Sequence, residues 1–164
     1  MRTHTIIDSP VGELTLVASD GVLSGLYMVE HRRQPSAGLG DRTDAGFEAT
    51  AEQLAEYFAG TRTDFELETA APGNEFQHRV WQQLARIPYG ETRSYSDLAR
   101  ALGDRALAQA VGSANGRNPL SIIVPCHRVV GADGSLVGYA GGLERKEFLL
   151  QLENPARCST QPLF

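Results

Sequence analysis

The hydrophobic pattern of this 164-residue chain changes period near its middle, and that change limits the folds open to it. Up to residue 67 the apolar residues mostly fall in short runs of strand character. From Asn74 onward they recur at helical spacing. Between the two lies Thr69-Ala70-Ala71-Pro72-Gly73, which reads as a linker. A chain of this length can bury one good core, or two small ones that share an interface. The expectation is therefore an α+β protein. It has a small antiparallel sheet and one helix over residues 1–72, a helical part over 73–155, and a tail over 156–164.

In the first part, residues 3–7, 13–18 and 22–29 are β-rich runs. Ser9-Pro10-Val11-Gly12 and Ser19-Asp20-Gly21 separate them as turn clusters, which predicts an antiparallel meander. Residues 31–46 are polar, hold Pro35 and three glycines, and read as a loop. A helix is expected from about 47 to 59, with Phe47, Leu54, Tyr57 and Phe58 on the face that packs on the sheet. Gly60 is its stop signal. Residues 64–67 are one more candidate strand.

In the second part, Asn74 can cap a helix carrying Phe76, Val80, Trp81 and Leu84, which ends before Pro88-Tyr89-Gly90. Ser94 can cap a short helix through Leu98 and Leu102, stopped by Gly103. Asp104 can cap the next, with Leu107, Ala110, Val111 and Ala114 inward. Two short helices joined at a glycine form a helix-turn-helix pattern, whose second helix can enter a DNA groove. Many helical hairpins share that pattern and bind nothing. The charge distribution adds a little: residues 1–72 carry a net −7 and residues 73–164 a net +2. The second part is thus compatible with phosphate. An apolar run, Leu120-Ser121-Ile122-Ile123-Val124, is long enough for one buried strand and leads into Pro125-Cys126-His127-Arg128-Val129. A glycine-rich loop over 131–142 follows, then a last helix over about 143–153 that stops before Pro155.

The chain has two cysteines, Cys126 and Cys158. Neither has a second cysteine nearby, so the spacing of a zinc site is absent. Cys158 lies in a polar tail and reads as an incidental thiol. Cys126 is the candidate nucleophile, whose reactive form is the thiolate. His127 is its neighbour, but adjacent side chains of a strand point to opposite faces, so contact requires a bend or a bridging water. Glu153, at the end of the last helix, could orient the imidazole and stabilise its cation, making a Cys–His–Glu relay. The same residue types also describe a buried cysteine, an unrelated histidine and a surface glutamate. The flexible loop beside the mouth of the apolar run would suit a small pocket for a flat ligand. No apolar run is long enough to span a bilayer, and residues 1–4 lack the apolar stretch of a signal peptide, so the expected location is cytoplasmic.

Pro125-Cys126-His127-Arg128-Val129 resembles the signature of the DNA-protein cysteine methyltransferases, which repair 6-O-alkylguanine. The resemblance continues through Ile87-Pro88-Tyr89-Gly90-Glu91-Thr92, Ser94-Tyr95, Ala110-Val111-Gly112, Asn118-Pro119 and Gly138-Tyr139-Ala140-Gly141-Gly142. It covers most of residues 74–153, and more loosely the N-terminal meander and helix. It implies a ribonuclease H-like N-terminal domain on a winged-helix-like C-terminal domain. It further implies a recognition helix in the minor groove of double-stranded DNA and a damaged nucleotide flipped into the pocket. By this resemblance Cys126 attacks the alkyl carbon as thiolate and His127 is its base through a water. Glu153 polarises His127, and Asn118 braces the turn before the active-site segment. Tyr95 presses on the phosphate beside the flipped nucleotide. Tyr95, Ser96, Arg105 and Gln109 face DNA; Val129, Tyr139 and Ala140 line the guanine pocket. The substrates implied are 6-O-alkylguanine and 4-O-alkylthymine. No metal or organic cofactor is implied, and the protein is expected to act once, as a monomer, with clustering along DNA left open.

One position departs from the family pattern. Gln109 stands where the family usually places an arginine finger in the space of the flipped base. Arg105, one helical turn earlier, could compensate through a phosphate contact. Two other readings compete. One is a non-catalytic alkylguanine-binding protein that flags lesions for another pathway, but such relatives lack the signature cysteine. The other is a cysteine hydrolase, for which the sequence offers no oxyanion or acyl-pocket motif.

Overall fold

The computed structural model describes residues 1–28, 39–136, 139 and 142–156. The chain builds an α+β fold in two parts. β1 (Arg2–Ile7), β2 (Leu14–Ser19) and β3 (Val22–Met28) form the antiparallel meander, and β4 (Asp41–Arg42) adds to the far edge of β1. The sheet order is β3-β2-β1-β4. Asp20 and Gly21 link β2 to β3 with φ of 50° and 84°. A two-residue type I′ hairpin loop needs positive φ at both positions, and Asp-Gly supplies it at little strain. α1 (Glu48–Phe58) follows, and Gly60 behind it has φ of 80°.

In the second part, α2 (Glu75–Ala85) and α3 (Tyr95–Ala101) both begin with complete capping boxes, Asn74 with Gln77 and Ser94 with Asp97. After α3 comes a 3-10 turn at Arg105–Leu107, which Asp104 caps through the Ala106 amide, and then α4 (Ala108–Gly116). β5 (Arg93–Ser94) pairs in parallel with β6 (Val129–Val130), and α5 (Leu143–Glu153) closes the described fold.

One apolar cluster runs through both parts. It joins Leu14, Leu16, Leu26 and Met28 of the sheet to Leu54 and Tyr57 of α1, then to Val80, Trp81 and Leu84 of α2, Val111 of α4 and Leu149 of α5. The Trp81 indole donates to the Ala114 carbonyl at 2.9 Å, tying α2 to α4 while satisfying a buried donor. The outer edge of β3 is covered by the second part: the Leu26 amide donates to the Pro119 carbonyl at 2.8 Å, and Leu26 bridges Leu120.

Four local expectations need correction. The run over 120–124 is not a strand. Only Leu120 pairs with the sheet, and the chain then folds on itself through Ile123 N–H to Ser121 C=O and Val124 N–H to Leu120 C=O, 2.8 and 2.9 Å. Ile122 sits at φ 73°, a conformation rare for a β-branched residue and held here by the surrounding packing. Residues 64–67 form no strand; the bridge to the sheet comes later, at Thr69. Within the expected loop over 31–46, Asp41–Arg42 pair in parallel with β1, so the sheet is mixed rather than purely antiparallel. Finally, Ala110 is exposed, because the helix after Asp104 starts as a 3-10 turn and this shifts the face that α4 buries.

Candidate active site

Cys126 opens a 3-10 turn, Cys126–Arg128, directly before β6. Pro125 (φ −80°, ψ 65°) makes a tight γ-type turn in which the Cys126 amide donates to the Val124 carbonyl at 2.8 Å. The strand alternation expected at Cys126 and His127 therefore does not apply; the bend that direct pairing would need is built into the chain. Two buried asparagines brace this corner. Asn118 donates to the Val124 carbonyl at 2.8 Å and accepts from the Leu120 amide at 3.0 Å. Asn115, from the last turn of α4, donates to the Cys126 carbonyl at 3.4 Å.

Behind the cysteine lies a buried polar chain. His127 is 0% exposed, and its Nε2 lies 2.7 Å from Oε2 of Glu153. Arg128 grips the same carboxylate at both oxygens, Nε to Oε1 at 2.8 Å and Nη2 to Oε2 at 3.0 Å, and its Nη1 donates to the Ile87 carbonyl at 2.7 Å. Tyr57 of α1 donates its hydroxyl proton to Oε2 at 2.6 Å. Burial pushes the Glu153 carboxyl up, but the hydrogen bonds and charge of His127 and Arg128 outweigh it and hold the group at about 2. It is the ionised acceptor of the cluster, secured by Arg128 whatever the state of the imidazole. An ionised carboxylate only accepts, so Nε2 of His127 carries a proton. In the neutral ring, Nδ1 then holds the free lone pair. Nδ1 has no hydrogen-bond partner among the described groups.

Burial lowers the pKa of His127, Glu153 raises it, and the cations Arg128 and Lys146 lower it; the net direction is down, so the ring is neutral near neutral pH. Burial raises the pKa of Cys126, against the opposing pull of Asn118, Lys146 and Tyr139. At rest the sulfur thus keeps its proton, and the thiolate has to form as the reaction proceeds. Lys146 is 0% exposed and sits on α5 seven residues before Glu153. Two helical turns put both on one face, about 10 Å apart.

The other residues singled out in the sequence fall in three places. Val129 and Tyr139 are buried beside this corner, and burial with the Cys126 charge pushes the Tyr139 phenol well above its ordinary range. Ala140 lies outside the described residues, as does Cys158. Tyr95, at the start of α3, is half-buried; its ring faces Gly112 of α4, and burial together with Cys126 raises its pKa. Ser96, Arg105 and Gln109 are on the outside, 96 half-buried and the others exposed. A polar cleft there is lined by Arg93, Ser96, Arg100 and Arg105. Sequence reasoning missed Arg128, Tyr57, Lys146 and Asn115. Arg128 carried a signal within Cys126-His127-Arg128. The others come from elements whose helical spacing marked them only as packing or surface positions.

The fold and the site together define a class: a cysteine nucleophile mounted on a DNA-binding scaffold. Comparison with known proteins agrees. Residues 3–71 match the description "6-O-methylguanine DNA methyltransferase, ribonuclease-like domain", and residues 75–155 match "6-O-methylguanine DNA methyltransferase, DNA binding domain". The chain is 48% identical over 164 residues to the methylated-DNA–protein-cysteine methyltransferase of Mycolicibacterium paratuberculosis, covering 100% of this chain and 99% of that one. The constitutive Bacillus subtilis protein of the same name is 40% identical over 158 residues, covering 93% and 96%. Among solved structures, Mycobacterium tuberculosis OGT in complex with DNA superposes with a TM-score of 0.88 at 49% identity, covering 93% of each chain. The chain belongs to the 6-O-methylguanine DNA methyltransferase family.

Proposed function

We infer that this protein repairs DNA by direct reversal of damage. It moves an alkyl group, methyl foremost, from 6-O-alkylguanine, and from 4-O-alkylthymine, onto the sulfur of Cys126. The observation that carries this reading is the buried chain from His127 to Glu153 directly behind that cysteine, with Nε2 engaged and Nδ1 available. The thiol proton passes to Nδ1, through a water, as the S–C bond forms and the C–O bond to the purine breaks. The departing guanine keeps the bonding electron pair, and Tyr95 donates to the purine. Glu153 stabilises the imidazolium that results. The raised pKa of Cys126 fits a sulfur that is deprotonated at the moment of attack.

Asn118 holds the corner that aims the sulfur, and Val129 and Tyr139 line the guanine pocket. Residues 73–155 form the unit that meets double-stranded DNA from the minor groove. Tyr95, Ser96, Arg105 and Gln109 face the strand from which the nucleotide is flipped. The thioether product has no second nucleophile to release it, so each chain, acting as a monomer, works once.

The test is a mass measurement after incubation with a methylated duplex oligonucleotide. Transfer adds one methyl group to the peptide containing Cys126 and none to the Cys126→Ala variant. Binding without a mass gain would support instead a protein that only flags the lesion.

A further inference from the structure

Tyr57 stands 96 residues before Glu153, on the N-terminal helix, yet it shares the carboxylate oxygen that His127 uses. We propose that Tyr57 is a positioning residue for alkyl transfer, by which the N-terminal part of the chain holds the Glu153 oxygen that supports His127. The proposal rests on the relay described under Proposed function.

Three features support it. First, Oε2 of Glu153 receives three donors: Tyr57 at 2.6 Å, His127 at 2.7 Å and Arg128 Nη2 at 3.0 Å. An oxygen with two lone-pair sites cannot serve three donors independently, so a change in one bond is felt by the others. Second, the Tyr57 side chain is fixed. It is 0% exposed, and its ring packs against Phe58, Phe65 and Tyr89 at centroid distances of 5.3, 5.5 and 6.3 Å. Tyr89 in turn lies beneath the Arg128 guanidinium, 5.7 Å away. The hydroxyl therefore has little freedom to aim elsewhere. Third, burial and the Glu153 charge both push the Tyr57 pKa above 10, so the hydroxyl is a donor throughout the working pH range.

The expected effect has a sign. A third donor on Oε2 draws off charge that would otherwise strengthen the bond to the imidazolium. Without the hydroxyl, the carboxylate is less firmly placed and His127 becomes easier to protonate. The charged and titratable groups around the ring are Glu153 and Lys146 from α5 and Cys126 and Arg128 from its own turn; Tyr57 and Tyr89 act through Glu153.

The experiment compares wild type, Tyr57→Phe and Phe65→Leu in single-turnover methyl transfer from a methylated duplex, followed from acid to alkaline pH beside thermal melting. Phe65→Leu loosens the same packing and keeps the hydroxyl. Tyr57→Phe is expected to slow transfer roughly 3- to 30-fold and to move the acid limb of the rate profile to higher pH. Phe65→Leu is expected to lower the melting temperature and to slow transfer less than Tyr57→Phe does, with the limb in place because the hydroxyl is kept. A Tyr57→Phe profile that overlays wild type overturns the proposal. So does equal slowing of both variants without a shift of the limb, which would make Tyr57 a packing residue. Absence of transfer by wild type would instead overturn the relay itself.

Discussion

Arg128 and Glu153 form a two-point ion pair closed off from solvent, with the arginine side chain 8% and the carboxylate 1% exposed. A surface pair of this kind contributes little, because water screens it. Inside the protein the balance differs: each charge is tolerable only while the other is present. Arg128→Met leaves Glu153 buried with an imidazole and a hydroxyl in place of a cation. It is expected to cost about 3–5 kcal/mol, read as a lower urea midpoint at unchanged slope. A midpoint within error of wild type would show that the pair does not hold the site.

Stability should fall on the acid side in two stages. The folded pKa of His127 lies below its ordinary value of 6.5, so between the two the unfolded chain binds more protons and stability is lost as pH drops below about 6.5. Glu153 is drawn from 4.5 to about 2, so its contribution, roughly 3 kcal/mol, is present above 4.5 and lost as pH falls through that window. Urea melts at stepped pH check this. A Glu153→Gln variant should lack the lower stage, and a flat profile in wild type between pH 7 and 3 would contradict both.

Alkylation should destabilise the protein. Cys126 is 4% exposed in a packed corner beside Val129 and Tyr139, and a methyl thioether adds volume where there is little room. Overpacking of this sort costs about 1–3 kcal/mol. Melting curves recorded before and after stoichiometric alkylation should separate, the alkylated form melting lower. Coincident curves would mean that the corner has room to spare.

Gln109 is exposed on the second turn-and-helix of the helix-turn-helix, where it carries no charge to offer DNA. Gln109→Arg should speed repair of a methylated duplex, because a guanidinium stacks and hydrogen-bonds in the vacated base position better than an amide. Reaction with free 6-O-benzylguanine, which needs no flipping, should stay at the wild-type rate. Unchanged duplex repair would show that position 109 does not limit flipping.

Local signals carried much of this protein. The Asp20-Gly21 hairpin, the capping residues Asn74 and Ser94, the stops at Gly60 and Gly103 and the helix ending at Glu153 are all readable from residues within a few positions of one another. Their conformations follow from backbone chemistry that needs no distant partner. The family was readable for the same reason, since Pro125 to Val129 are contiguous. Tertiary structure decided the rest. The run over 120–124 has the composition of a strand, but the only sheet edge it reaches accepts Leu120 alone, and Asn118 then bends the chain into the corner that presents Cys126. The partners of Glu153 come from α1 and from the turn at 126–128, and nothing short-range in the sequence connects Tyr57 with a carboxylate 96 positions later. A buried charge must find its partners wherever the fold brings donors together, and that choice is made only when distant segments pack.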